Sequence, residues 1–154
     1  MKTELHPRII TLDPMHVASF CVVGKDPEIK AFKLMSEWAT KAGLMDNDGT
    51  RYFGFDNPAP SSDRDEYGYE VWASPGIENA DFDAVNVKEF AGGMYAVTRT
   101  SLTNIGQTWR ELIAWREGSK YGEGKHQCLE EHLSLPIGRS FNEIEIDLYL
   151  PIAD

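Results

Sequence analysis

Tyr69-Glu-Val-Trp-Ala-Ser-Pro75 and Ile146-Asp-Leu-Tyr-Leu-Pro151 are two versions of one phrase. Each sets an acid two residues before an aromatic, with a proline just beyond, and each closes one half of the chain. Working outward from the first phrase, residues 8–12 and 17–23 are rich in β-branched and apolar types and predict strands. Gly24 to Pro27 breaks that run. Asp26 reads as a helix cap with Pro27 at the first helical position, and Ile29, Phe32, Met35, Ala39 and Ala42 recur at the spacing of one helical face before a stop at Gly43. Met45 to Thr50 reads as a polar turn; Asp46 and Asp48 precede Gly49 without the rest of a calcium-loop ligand series. Residues 51–55 and 67–73 predict two further strands around a Pro- and Ser-rich loop at 57–65.

The order then repeats. Pro75-Gly76 opens a connection, residues 85–90 and 94–100 form an extended arm interrupted at Gly92-Gly93, and Ile105, Trp109, Leu112, Ile113 and Arg116 mark a helix capped at Thr103 or Asn104. Residues 118–124 end it. Residues 127–133 and 143–152 predict the last two strands, joined through a loop with Pro136 and Gly138. Modules of this size, about 70 residues, bury too little apolar surface alone and pack around a shared core, with a cleft at their junction. The expected fold is α+β: duplicated strand-helix-strand-strand modules at about 8–76 and 77–154 within one domain spanning 1–154. They would form an antiparallel sheet with two helices on one side and a ligand groove between the halves.

Composition narrows the function. The chain has 154 residues, 42% of them hydrophobic, and 25 acids against 15 Lys and Arg give a formal charge of −10, which opposes direct binding to a phosphate backbone. Cys21 and Cys128 form neither a disulfide framework nor a CxxC pair, and no apolar run approaches a membrane span, so a cytoplasmic protein without membrane contact is expected. There is no GxSxG, phosphate loop, dinucleotide fingerprint or HExxH, and no cofactor is expected. Cys128 and His132 do not make a nucleophile–base pair, because i and i+4 on a strand stand roughly 13 Å apart.

Strand alternation sorts the remaining candidates. In the last strand Ile144, Ile146, Leu148 and Leu150 share a face read as core, with Glu145, Asp147 and Tyr149 opposite. In the matching strand Tyr69 and Val71 face the core and Glu70 and Trp72 do not. Phe53 and Phe55 read as inward, and Tyr52 and Gly54 as outward. His126, Cys128, Glu130 and His132 share the face away from Leu129 and Leu133, and Gly54 is the rough counterpart of Glu130. One strand cannot supply a four-ligand set, so no metal site is expected. If the non-core faces meet along a groove, that groove holds the carboxylate of Glu130 among Tyr52, Trp72 and Tyr149, which suits an organic cation through both charge and ring quadrupoles. Plainer readings stand beside this one: Trp72 and Tyr149 as amphipathic aromatics on a partly exposed sheet, Glu130 and Glu131 as a solvated acidic pair, Trp109 as packing.

The stretches Tyr67-Gly-Tyr-Glu-Val-Trp72, Gly92-Gly-Met-Tyr-Ala-Val97, Trp109-Arg-Glu-Leu-Ile-Ala-Trp115, Leu129-Glu-Glu-His132 and Ile146-Asp-Leu-Tyr-Leu-Pro151 follow one another over nearly the whole chain. In this order they resemble the GyrI-like, or bacterial transcription-activator effector-binding, superfamily, and within it the integron-associated effector-binding proteins and the C-terminal domains of AraC-type regulators. The resemblance implies the duplicated fold, a groove between the halves and a functional glutamate near its centre, which Glu130 matches. His132 stands where the family usually has Tyr, and Trp72 matches a groove aromatic; Tyr52 and Tyr149 are added by strand parity. The implied role is a free-standing effector-binding protein for hydrophobic, cationic small molecules, a drug sensor or a partner of a DNA-binding regulator. Two alternatives come with the family: hydrolysis of cyclopropane-containing genotoxins with Glu130 as the catalytic general base, and inhibition of gyrase or another protein partner.

Overall fold

The two closing phrases form long strands at mirrored places in one sheet. The structure is a computed structural model and describes residues 5–41, 43, 50–63, 65–74, 86–133 and 144–154. Ala42, most of the Met45 to Thr50 turn, Pro75-Gly76, Val85 and the loop with Pro136 and Gly138 lie outside the described residues. Strands β1 (Arg8–Leu12) and β2 (Met15–Gly24) lead to helix α1 (Pro27–Lys41), then to β3 (Arg51–Asp56) and β4 (Tyr67–Ser74). Strands β5 (Asn86–Phe90) and β6 (Gly93–Ser101) lead through one 3-10 turn, Leu102–Asn104, to α2 (Ile105–Glu117). The short β7 (Gly122–Glu123), β8 (Leu129–His132) and β9 (Glu145–Ala153) complete the chain.

All nine strands join one curled antiparallel sheet in the order β1-β6-β9-β8-β3-β4-β2-β5, with β7 against β9. Read from either end, this order is the same once β1 is matched to β5, β2 to β6, β3 to β8 and β4 to β9. The strand-helix-strand-strand unit is therefore duplicated. The leading strands are exchanged: β1 lies on β6 of the second half, and β5 on β2 of the first. The halves meet where β3 pairs β8, through Tyr52 opposite His132, Phe53 opposite Glu131 and Gly54 opposite Glu130.

Both faces of the sheet are buried. On one face α1 packs Ala31, Phe32 and Met35 against Tyr69, Val71 and Ala73, and α2 packs Leu112 against Ile146, Leu148 and Leu150. On the other, the curl gathers Phe53, Phe55, Trp72, Tyr95, Leu129 and Tyr149 into a second core. The register corrects the expected faces. Phe53 sits opposite Trp72, so Phe53 and Phe55 belong with Trp72 in the second core, and Tyr52 and Gly54 share the helix-covered face with Tyr69 and Val71. Alternation along each strand was sound; what it lacked was the pairing between strands, which fixes which faces coincide.

The acids of the repeated phrase hold the exchanged strands. Glu70, 1% exposed, accepts from Ser19 Oγ at 2.7 Å, Asn57 Nδ2 at 2.9 Å, Trp72 Nε1 at 2.6 Å and Lys88 Nζ of β5 at 2.7 Å. Burial pushes its carboxyl up, but these donors outweigh it and hold the group below its ordinary value. Asp147 accepts from Arg8 of β1 and Arg99 of β6, each at 3.0 Å. Each exchanged strand thus supplies a cation to the acid of the other half.

Smaller details differ from expectation. Asp26 has a left-handed φ of 50°, not the extended backbone typical of a cap. Ile29 faces solvent, at 75% exposure, and α1 instead buries Pro27, Ala31, Phe32, Met35 and Ala39. Asn104 precedes α2 as its cap residue, without a side-chain capping bond. No helix among the described residues is long and apolar enough to cross a membrane.

Candidate ligand site

Glu130 projects from β8 on the helix-covered face, where α1 and α2 flank the β3–β8 seam. Its carboxylate Oε1 accepts from the Tyr69 hydroxyl at 2.7 Å, and its Oε2 from Trp109 Nε1 at 3.3 Å. No cation pairs with it among the described residues. Glycine is what lets Tyr69 arrive: a β-carbon on Gly54, directly across from Glu130, would stand 2.2 Å from the Tyr69 oxygen.

Beside the carboxylate lies a cavity of about 300 Å³ lined by Phe55, Asp56, Trp109, Ile113, Gln127, Cys128, Glu130 and Leu150. Its walls are mainly apolar, with the carboxylates of Glu130 and Asp56 among them, and its volume is at the small end of the range for ligand pockets, roughly 300 Å³ upward. Burial pushes the Glu130 carboxyl above its ordinary value, only partly countered by donation from Tyr69 and Trp109, and the nearby Asp56 and Glu28 add to the rise. Burial and Glu28 raise Asp56 as well. Such a cavity offers negative potential at low dielectric with no counter-charge among the described residues that line it, a setting in which an organic cation gains from the acids and from the indole.

Of the four candidate ligand-binding residues, the structure brings one to the cavity. Glu130 lines it. Tyr52 shares its face but lies beyond Gly54 beside His132, half-buried against the α1 side and outside the cavity lining. Trp72 and Tyr149 are on the opposite face, and the reading that grouped them with Glu130 is corrected. Trp72 lies between Phe55 and Phe90 with its indole N–H given to Glu70. Tyr149 packs on Phe53 and Tyr95, donates to Glu131 at 2.6 Å and accepts from Arg51 at 2.8 Å. The register that moved Phe53 also moved these two.

Residues the sequence reading placed elsewhere take their positions. Tyr69 alternates like a core residue and is 3% exposed, yet its hydroxyl crosses to Glu130. Trp109 packs against the α2 core and also reaches the carboxylate, so packing and site lining are one role. The pairing of Gly54 with a carboxylate was the available signal: a missing side chain beside a candidate anchor leaves room for something else to reach it.

The sequence from 5 to 153 matches the GyrI-like small molecule binding domain. The chain belongs to that family. No curated protein sequence matches it. Among solved structures, the GyrI-like chain is similar to the EcmrR C-terminal domain, with a TM-score of 0.72 and 12% identity over 97% of this chain and 98% of that one. It is similar to SAV2435 bound to tetraphenylphosphonium, at 0.58 and 14% identity over 96% and 94%. It is also similar to the integron cassette protein VCH_CASS2 of Vibrio cholerae, at 0.55 and 9% identity over 94% of both chains. At these identities the likeness is one of fold.

Proposed function

We propose that this GyrI-like domain binds hydrophobic organic cations, with Glu130 as the anionic anchor and Trp109 as the aromatic wall. The observation that carries the reading is a half-buried carboxylate without a cation partner among the described residues, held by Tyr69 and Trp109 at the edge of a mostly apolar cavity. A buried charge without a counter-ion is costly to a fold, and a cationic ligand supplies the missing partner. SAV2435, of the same fold, is solved with a lipophilic cation, and the EcmrR domain belongs to a protein seen on DNA, which supports an effector role in regulation. The comparisons lend no support to gyrase as a partner. Because Trp109 stands in the cavity, tetraphenylphosphonium is expected to change the tryptophan fluorescence saturably, with most of the change lost in Trp109→Phe. A linear, non-saturating response would contradict the reading.

A second reading, hydrolysis of a cyclopropane-containing electrophile, draws on the raised carboxyl of Glu130, a property suited to a general base. In it Glu130 takes a proton from water, the water oxygen bonds to a ring carbon, and the ring C–C electron pair leaves to be protonated. Mass spectrometry would show a ring-opened product heavier by one water, absent with Glu130→Gln.

A further inference from the structure

His132 stands two residues along β8 from Glu130 on the same face and is 5% exposed. Its Nε2 is 3.2 Å from the Tyr69 hydroxyl, which in turn is 2.7 Å from Glu130 Oε1. Its Nδ1 is buried and has no hydrogen-bond partner among the described residues. From α1, Phe32 presses edge-on against the ring at 4.5 Å.

These contacts fix the direction of a chain. A phenol has one proton, and with that proton given to Glu130 the contact from His132 must run from Nε2–H to the Tyr69 oxygen. Burial pushes the imidazole down to about 3, so it is neutral and carries a single N–H. Nδ1 is then a bare acceptor, unpaired among the described residues. A buried unpaired nitrogen costs stability, and its retention here points to a use for the other nitrogen.

We propose that His132 is a positioning residue for ligand binding, donating from Nε2 to Tyr69 so that the Tyr69 proton is committed to Glu130. The inference rests on the reading of Glu130 as the cation anchor. A hydroxyl that accepts a hydrogen bond donates a stronger one, so His132 strengthens the contact that orients Oε1 and keeps the carboxylate ionised. Around Glu130 the titratable groups are Tyr69 on β4, Asp56 on β3, Glu28 on α1, Cys128 just before β8 and His132 on β8 itself, while α2 presents Trp109. His132 faces Tyr69, Tyr52 across the β3–β8 pair and Ile146 across the β8–β9 pair, with no charged group among them.

Nitrogen-15 NMR of histidine-labelled protein reads the tautomer directly. The Nε2–H form is expected, and an Nδ1–H form overturns the proposal without any ligand or variant. With tetraphenylphosphonium as the probe, His132→Phe keeps a ring and removes both nitrogens; it is expected to weaken binding about 3- to 10-fold. It is also expected to move the acid loss of binding to higher pH, whereas His132→Gln, whose amide can donate from the Nε2 position, recovers most of the affinity. In a Tyr69→Phe background the same change should cost nothing further. Unchanged affinity and an unchanged pH midpoint in His132→Phe overturn the role, as does an undiminished cost in the Tyr69→Phe background. Should His132→Phe fail to fold, the tautomer and the Gln variant decide. If the wild type does not bind tetraphenylphosphonium at all, the anchor reading falls and takes the ligand role of His132 with it, whereas an Nδ1–H tautomer removes His132 alone.

Discussion

The backbone of Gly54 lies under the phenol of Tyr69, so close that a β-carbon there would stand 2.2 Å from the hydroxyl oxygen and 2.6 Å from the ring carbon that bears it. Tyr69 belongs to β4 and Glu130 to β8, with β3 between them. The bare position on β3 is what allows a side chain of one half of the duplicated fold to hold the carboxylate of the other.

Gly54→Ala is therefore expected to displace Tyr69 from Glu130. Overpacking of this kind costs roughly 1–3 kcal/mol of stability. Chemical denaturation should show that loss, and affinity for a hydrophobic cation should fall to the level of Tyr69→Phe. A Gly54→Ala protein that binds like the wild type would show that the Tyr69 contact contributes nothing to the anchor.

Trp72→Phe and Tyr149→Phe test the assignment of faces. Each removes a buried hydrogen bond of the second core, from Trp72 to Glu70 or from Tyr149 to Glu131, and should cost about 1–3 kcal/mol of stability. Cation affinity should stay within about twofold, since neither side chain reaches the cavity and binding changes track lost contacts. A selective loss of binding by either stable variant would return that residue to the site.

Stability and binding should respond oppositely to pH at Glu130. Its folded carboxyl is raised, so the stabilisation relative to an always-ionised group is complete below the ordinary carboxylate value and is lost as pH rises through the raised one. Glu130→Gln should accordingly be more stable than the wild type at neutral pH, with the gap closing toward about pH 4. Binding of a cation needs the ionised form and should weaken as pH falls through the raised value. Urea unfolding and ligand titration over one pH series would check both; a Gln variant less stable at neutral pH would contradict the electrostatics.

Glu70 carries the opposite sign. Its donors hold the carboxyl low, so its contribution is present above the ordinary carboxylate range and lost as the pH falls. Lys88, whose side chain is 46% exposed, supplies only part of this, and Lys88→Met should cost on the order of 1 kcal/mol. Glu70→Ala strands the buried Trp72 and Ser19 donors and should cost more, about 2–4 kcal/mol. Equal costs for the two variants, measured by thermal unfolding, would mean that the Lys88 ion pair, and not the neutral donors, carries the stabilisation by Glu70.

The order of elements was legible because glycine and proline punctuate it and because the acid-x-aromatic phrase marks the end of each module. Glu130 was legible because it lies on the face away from Leu129 and Leu133 and because it matches the glutamate of the GyrI-like pattern. The exchange of β1 and β5 was not, since pairing between distant strands leaves no local pattern. Two-sided burial hid the faces. In a strand such as β4, where both faces are covered, alternation separates Tyr69 from Trp72 without saying which meets the ligand. Tyr69 looked like core because it is core, apart from one hydroxyl.

The central claim is that the charge of Glu130, and not merely the apolar cavity, selects the ligand. Tetraphenylphosphonium and tetraphenylborate share a shape and differ in sign, and their affinities can be compared by calorimetry for the wild type and Glu130→Gln. The account predicts that the wild type prefers the cation by at least about tenfold, the scale of one charge-assisted contact, and that Glu130→Gln loses most of the preference. Equal affinity for the two ions, or a preference that survives in Glu130→Gln, would contradict it.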